Sequence, residues 1–161
     1  MTLEGCSFSS CSRFGVAVSD CGPSEIRDCV IEQIGGGSGG VRLMSGYQVL
    51  MENNLVISDT YCFAVQGSGQ SGGSVFRNNH ILRQGDGWYV ADWYGGYQHP
   101  GEVLDMEGNY WGTQDPEEIA TWILDGNDDH EIGFVVDFLP MADGPVSTER
   151  VTLDGIKALY R

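Results

Sequence analysis

One six-residue pattern occurs five times in this chain and restricts its folding more than anything else in the sequence. Met51-Glu52-Asn53-Asn54-Leu55-Val56 returns 25 residues later as Phe76-Arg77-Asn78-Asn79-His80-Ile81. Leu3-Glu4-Gly5-Cys6-Ser7-Phe8 and Ile26-Arg27-Asp28-Cys29-Val30-Ile31 precede it, and Met106-Glu107-Gly108-Asn109-Tyr110-Trp111 follows. The spacings are 23, 25, 25 and 30 residues. Self-similarity at that period is the signature of a stacked architecture, in which each repeat buries its apolar face only against its neighbours.

A second short pattern follows each of the first four copies: Val16-Ala17-Val18, Val41-Arg42-Leu43, Phe63-Ala64-Val65 and Trp88-Tyr89-Val90. Two apolar residues flanking a variable one is strand alternation, two inward and one outward, which sets Tyr89 outward. Each repeat therefore holds at least two short strands broken by Gly, Asn, Asp and Ser turns. No long stretch of 3.6-residue periodicity intervenes, which excludes a helical solenoid. Strands in register from repeat to repeat stack about 4.8 Å apart, so each position becomes a column. The column at 6, 29, 54, 79 and 109 reads Cys, Cys, Asn, Asn, Asn, an asparagine ladder whose amides can satisfy one another. Two places earlier the column reads Glu4, Arg27, Glu52, Arg77, Glu107. Its signs alternate, and opposite charges on adjacent strands attract by roughly 0.2–1 kcal/mol per exposed pair.

With these residues in view, the chain resembles right-handed parallel β-helix proteins of the pectin-lyase-like superfamily. The Asn-Asn repeats carry part of the likeness. The rest lies in Gly108-Asn109-Tyr110-Trp111-Gly112-Thr113, Asp115-Pro116-Glu117-Glu118-Ile119, Asp125-Gly126-Asn127-Asp128-Asp129 and Val136-Asp137-Phe138-Leu139-Pro140. That order is similar to the C-terminal end of many bacterial secreted β-helix-repeat proteins. The resemblance implies an all-β, right-handed parallel β-helix (a solenoid) of about five coils with a short C-terminal capping helix. It is specific for fold and not for activity, because the superfamily holds lyases, hydrolases, epimerases, adhesins and phage spikes. An extracellular or cell-surface location follows only if the chain is part of a larger secreted protein.

The sequence divides into a β-helix with its cap at 1–141 and a linker or tail at 142–161. Gly35 to Gly40 contains five glycines and reads as a corner; a phosphate loop would need a helix after it and a Lys nearby. Asp115 suits an N-cap, Pro116 the first helical position, and Ile119, Trp122 and Ile123 one apolar face, predicting a helix over 116–124. Phe134 to Leu139 reads as a final strand. Phe8, Phe14, Val16 and Val18 are the expected inward residues of the first coil. With 23 acids against 8 bases and a formal charge of −15, the chain lacks a nucleic-acid footprint and would be repelled by anionic bilayers. No apolar run reaches membrane-spanning length and no signal peptide is visible. Cys6 and Cys29 should be column neighbours, packed as buried thiols or close enough to bridge. A repeat within the first ten residues leaves an uncapped β edge, a surface for self-association or for coils preceding Met1.

Connections after the second strand of each repeat lengthen along the chain, and binding surfaces gather on such loops. The longest, 91–101, sets Asp92, Trp93, Tyr94, Tyr97 and His99 beside Tyr89. Aromatic faces with nearby acids and amides suit saccharide binding; the alternative is that Trp93 and Tyr97 fold back as a lid on the coil wall. Catalysis would draw on Asp92 and Asp105 as a carboxylate pair, for hydrolysis. For a lyase, the proton acceptor would be Arg42 or Arg83. Asp125, Asn127 and Asp129 alternate as calcium ligands do, but the sixth loop position is His130 and no Glu occupies the twelfth; a plain turn is the competing reading. No cofactor is otherwise implied. The reading leans to a non-catalytic carbohydrate-interaction or scaffold module. A polysaccharide lyase or glycoside hydrolase on the long-loop face and a self-assembling structural element are the alternatives.

Overall fold

A computed structural model describes residues 1–19, 22–44, 48–66, 74–93 and 102–145. The first coil holds β1 (Thr2–Glu4), β2 (Ser7–Ser9) and β3 (Phe14–Val18). The second holds β4 (Ser24–Arg27), β5 (Val30–Gln33) and β6 (Gly39–Leu43). The third holds β7 (Val49–Glu52), β8 (Leu55–Ser58) and β9 (Tyr61–Val65). The fourth holds β10 (Val75–Arg77), β11 (His80–Arg83) and β12 (Trp88–Asp92). Then come β13 (Glu102–Asp105), α1 (Pro116–Thr121), β14 (Ile123–Leu124) and β15 (Phe134–Asp137).

Every pairing is parallel and joins equivalent strands of successive coils, giving three sheets. The first runs β1-β4-β7-β10-β13-β15, the second β2-β5-β8-β11, and the third β3-β6-β9-β12-β14. Four coils place a strand on all three faces. The fifth is incomplete, which corrects the expectation of five: on the second face it contributes only a bridge between Tyr110 and His80. Past Trp111 the chain turns at Gly112, at φ +82°, and leaves the wall for the cap.

The core is a set of inward columns. Ile26, Met51 and Phe76 align on the first face, Ile31, Val56 and Ile81 on the second, and Val41, Phe63 and Val90 on the third. All nine are fully buried. Removing their apolar surface from water, at about 25 cal/mol per Å², is what drives the stack together.

The recurring hexapeptide straddles the corner between the first and second faces. Its third residue always takes a left-handed conformation: Gly5 (φ 60°), Asp28 (53°), Asn53 (58°), Asn78 (54°) and Gly108 (69°). Gly, Asn and Asp are the residues that tolerate it. Directly after that corner the asparagine ladder forms as the spacing predicts. Asn54 Nδ2 donates to Asn79 Oδ1 and Asn79 Nδ2 to Asn109 Oδ1, both at 2.9 Å. Each Oδ1 also accepts the backbone N–H of the residue above it: Cys29 on Asn54 (3.0 Å), Asn54 on Asn79 (2.9 Å) and Asn79 on Asn109 (2.8 Å). At the Cys end the column turns local, with Cys29 Sγ donating to the Arg27 carbonyl at 3.1 Å. Cys6 is half-buried rather than buried, and Cys6, Cys11, Cys29 and Cys62 are all free thiols.

The charge column is built at its centre, while Glu4 and Glu107 at its ends make no ion pair among the described residues. Glu52 lies between Arg27 and Arg77, pairing with both, the latter at 2.9 Å. Its side chain is only 14% exposed, so this pairing is partly desolvated and less screened than a rim contact.

Two local expectations fail. The helix stops at Thr121, and Ile123–Leu124 instead extends the third sheet, pairing with Val90 and Ala91. A strand edge left open by β12 outweighs one more helical turn, since buried backbone groups must be paired. The last strand likewise ends at Asp137. The start of α1 is as predicted: Asp115 Oδ1 accepts from Glu117 N at 3.0 Å. Ile119 and Trp111 are fully buried beneath this cap. Among the described residues no helix is long and apolar enough to cross a membrane.

Candidate functional site

The outward side of the third sheet carries the most concentrated set of aromatic and polar side chains suited to a ligand. Register places Ala17, Arg42, Ala64 and Ala91 in one row across β3, β6, β9 and β12. Alternation sets that row opposite the inward Val16, Val41, Phe63 and Val90. Ala64 and Ala91 of this row are buried, at 0% and 2% exposed, and three rings lie on the same face. Trp93 packs edge-on against Phe14 and against Tyr61, with centroids 5.2 Å apart in both cases. All three rings are half-buried, leaving part of each to solvent.

Gly39 makes that convergence fit. It sits in register with Phe14, between the coils that carry Phe14 and Tyr61. A Cβ there would lie 3.0 Å from Phe14 Cε1 and 2.7 Å from the Tyr61 carbonyl oxygen, at φ +155°. The glycine-rich segment is therefore a packing requirement of the ring cluster, beyond its role as a corner. Polar groups border the rings. The Arg42 guanidinium lies 5.6 Å from the Phe14 centroid and donates through Nη2 to Gln66 Oε1. Asp92, at the end of β12, pairs in register with the core residue Val65 and so falls on the side of the sheet opposite Ala91. A ring edge, a guanidinium and an amide together present the apolar and hydrogen-bonding faces that a polyhydroxylated ligand needs.

Of the residues predicted for the long loop, Trp93 is here, and Asp92 precedes it at the end of β12. Trp93 folds back on the coil wall, held by Phe14 and Tyr61. Tyr94, Tyr97 and His99 lie outside the described residues. Tyr89 was expected outward and is instead 4% exposed, its hydroxyl donating to the Trp111 carbonyl and its ring 5.2 Å from that of Trp111. The cause is a register difference. The corner before β12, Gln84–Gly87, is two residues longer than Asp59–Thr60 before β9. Val90 therefore pairs with Phe63, where Trp88 was expected to. Phe14, expected in the core, is part of the outer ring cluster.

The catalytic candidates are dispersed. Asp92 is on the third face. Asp105 ends β13 on the first, where Oδ1 accepts from Glu107 N at 3.4 Å. Arg42 is on the third face, and Arg83 is at the far end of the second, its guanidinium 3.8 Å from the Trp122 ring centroid. The calcium-like segment is a turn in which both Asp125 oxygens and one of Asp129 accept backbone N–H groups. Asp125 Oδ1 accepts from Asn127 N (2.7 Å) and Oδ2 from Val136 N (2.8 Å); Asp129 Oδ1 accepts from Glu131 N (2.9 Å). Asp125 is 3% exposed, so this donor set does not fit a cation. No group of three or more metal-binding side chains occurs among the described residues. Burial pushes the Cys62 thiol up to about 12, and burial likewise raises Cys29. Both stay protonated and unreactive at neutral pH.

Tyr61 and Gln66 were not singled out by sequence, and Phe14 was read only as a core residue. Their signal was available only after the fact, as the residues that flank the third-face row at its two ends.

Residues 1–98 match the family model described as the right handed beta helix region. No curated protein and no solved structure matches the chain.

Proposed function

Since the chain belongs to the right-handed beta helix family, we propose that it is a non-catalytic β-helix module that contacts carbohydrate through the outer third face. The module would be a scaffold piece of a secreted or cell-surface protein. The observation that carries this reading is the half-open cluster of Phe14, Tyr61 and Trp93, with Arg42 and Gln66 beside it. Sugar rings stack their C–H faces on such aromatics and hydrogen-bond to flanking polar groups. Among the described residues this face carries no opposed pair of carboxylates of the kind glycoside hydrolysis uses.

The test is affinity electrophoresis of the wild type, Trp93→Ala and Tyr61→Ala over a panel of neutral and acidic polysaccharides. Retardation of the wild type by at least one member, lost in both variants, is expected. Unchanged retardation in both variants overturns the assignment to this face. Release of reducing ends or of unsaturated sugar products from any bound polysaccharide would replace the binding reading with the lyase or hydrolase one.

Self-association is a second reading, supported by a separate observation. β1, β2 and β3 are the outermost strands of their three sheets at the same end, and Leu3, Cys6 and Phe8 there are only partly buried. Three parallel edges at one level form a template for another chain. Sedimentation velocity across a hundredfold concentration range should show growth of the sedimentation coefficient. A constant monomer value would remove this reading.

A further inference from the structure

A cleft of about 240 Å³ opens at the other end of the molecule, between the corner joining β11 to β12 and the cap. Arg83, Tyr89, Trp111, Thr113 and Glu118 line it. Two features mark it as incomplete without a ligand. The first is Trp111, which is fully buried and whose indole N–H has no hydrogen-bond partner. A buried donor without an acceptor is costly and calls for an explanation. The second is Arg83. In a chain with 23 acids, it makes no ion pair among the described residues. Its guanidinium is stacked 3.8 Å from the Trp122 centroid, Nη1 donates to the Gly85 carbonyl, and Nε is buried with no partner. A planar fork, held by stacking with donors to spare, is the usual receptor for a carboxylate.

The opposite wall has the complementary chemistry. Glu118 Oε2 accepts from the Thr113 hydroxyl at 2.9 Å, which orients the carboxylate and leaves Oε1 to accept from a ligand hydroxyl. The volume is about eight times the share of liquid that one water occupies, and lies below the usual range for drug-sized ligands. That suits a compact molecule. We propose that this cleft binds a small hydroxycarboxylate, its carboxylate on the Arg83 fork and its hydroxyl on Glu118. The site is separate from the third face and does not depend on the reading given to it.

Glycerate is a suitable probe, with glycerol and inorganic phosphate as controls, titrated into the full chain. The readouts are calorimetry and the assigned Trp111 indole N–H resonance. Glycerate is expected to move that resonance saturably, while glycerol leaves it in place and phosphate binds at least fivefold more weakly. Arg83→Gln should weaken glycerate at least tenfold. Arg83→Lys, which keeps the charge but loses the fork and the stack, should weaken it at least threefold and serves if the Gln variant fails to fold. Glu118→Gln keeps an acceptor, removes a like charge, and should bind glycerate as well as or better than the wild type. No saturable shift at tens of millimolar glycerate, glycerol binding equal to glycerate, phosphate binding equal to it, or wild-type affinity in a folded Arg83 variant would each overturn the proposal.

Discussion

Replacing Asn79 by Ala tests the energetic basis of the stack. The side chain sits at the centre of the ladder, fully buried, and makes four bonds. Oδ1 accepts from Asn54 N and Asn54 Nδ2, both at 2.9 Å. Nδ2 donates to the Met51 carbonyl at 3.0 Å and to Asn109 Oδ1 at 2.9 Å. The consequences of losing them differ. Asn54 Nδ2 keeps its bond to the Ile26 carbonyl, and Asn109 Oδ1 keeps the Asn79 N–H. The Asn54 backbone N–H loses this acceptor, in a place water does not reach. A stranded buried donor costs about 1–3 kcal/mol, and each of the three other lost neutral bonds about 0.5–1.5 kcal/mol, so the substitution should cost about 2.5–7.5 kcal/mol. Against a total stability of about 5–15 kcal/mol this is a large share. Urea titration followed by far-ultraviolet circular dichroism measures it. Asn79→Cys copies the residue at position 29, whose thiol finds a carbonyl two residues back in its own coil. It should fall between Ala and wild type, because it restores a local bond but no acceptor for Asn54. Asn78→Gly, one residue away at the exposed left-handed corner, is the control and should stay within about 0.5 kcal/mol of wild type, since glycine takes that backbone conformation freely. An Asn79→Ala variant within about 1 kcal/mol of wild type would refute the view that the ladder, beyond apolar burial, holds the coils in register.

Other consequences are smaller and separable. Glu52→Gln removes the shared partner of Arg27 and Arg77 and should cost about 1–2 kcal/mol, shrinking in high salt because one arginine is more than half exposed; thermal melts at low and high ionic strength measure both. Asn53→Ala forces a β-carbon without a compensating amide into φ +58° and should cost about 1–2 kcal/mol, whereas Asn53→Gly should not. For Cys62 the folded thiol titrates above its unfolded value, so it favours folding fully below about pH 9 and loses that contribution as pH rises toward 12. Each pH unit crossed in that window costs about 1.4 kcal/mol. Urea midpoints should therefore fall between pH 9 and 10.5, less steeply in Cys62→Ala.

The hexapeptide alone specified the stack, the ladder and the charge column. In a solenoid a residue's neighbours are its own equivalents one coil away, so a column can be read directly from periodicity. Glu52 between Arg27 and Arg77 was legible for that reason, and so was the left-handed corner, because only Gly, Asn and Asp fill it. Corners that change length escape this logic. Two extra residues before β12 moved Tyr89 from the surface to the floor of the cap, and a free strand edge turned the end of the expected helix into β14. The side chains that meet at these places come from different faces or from opposite ends of a strand: Phe14 with Tyr61 and Trp93, or Arg83 with Trp111 and Glu118. Their meeting is set by how far the chain travels around each corner and how the cap folds back, distances that no repeat encodes. Tertiary structure therefore decided the candidate sites, while the sequence decided the scaffold that carries them.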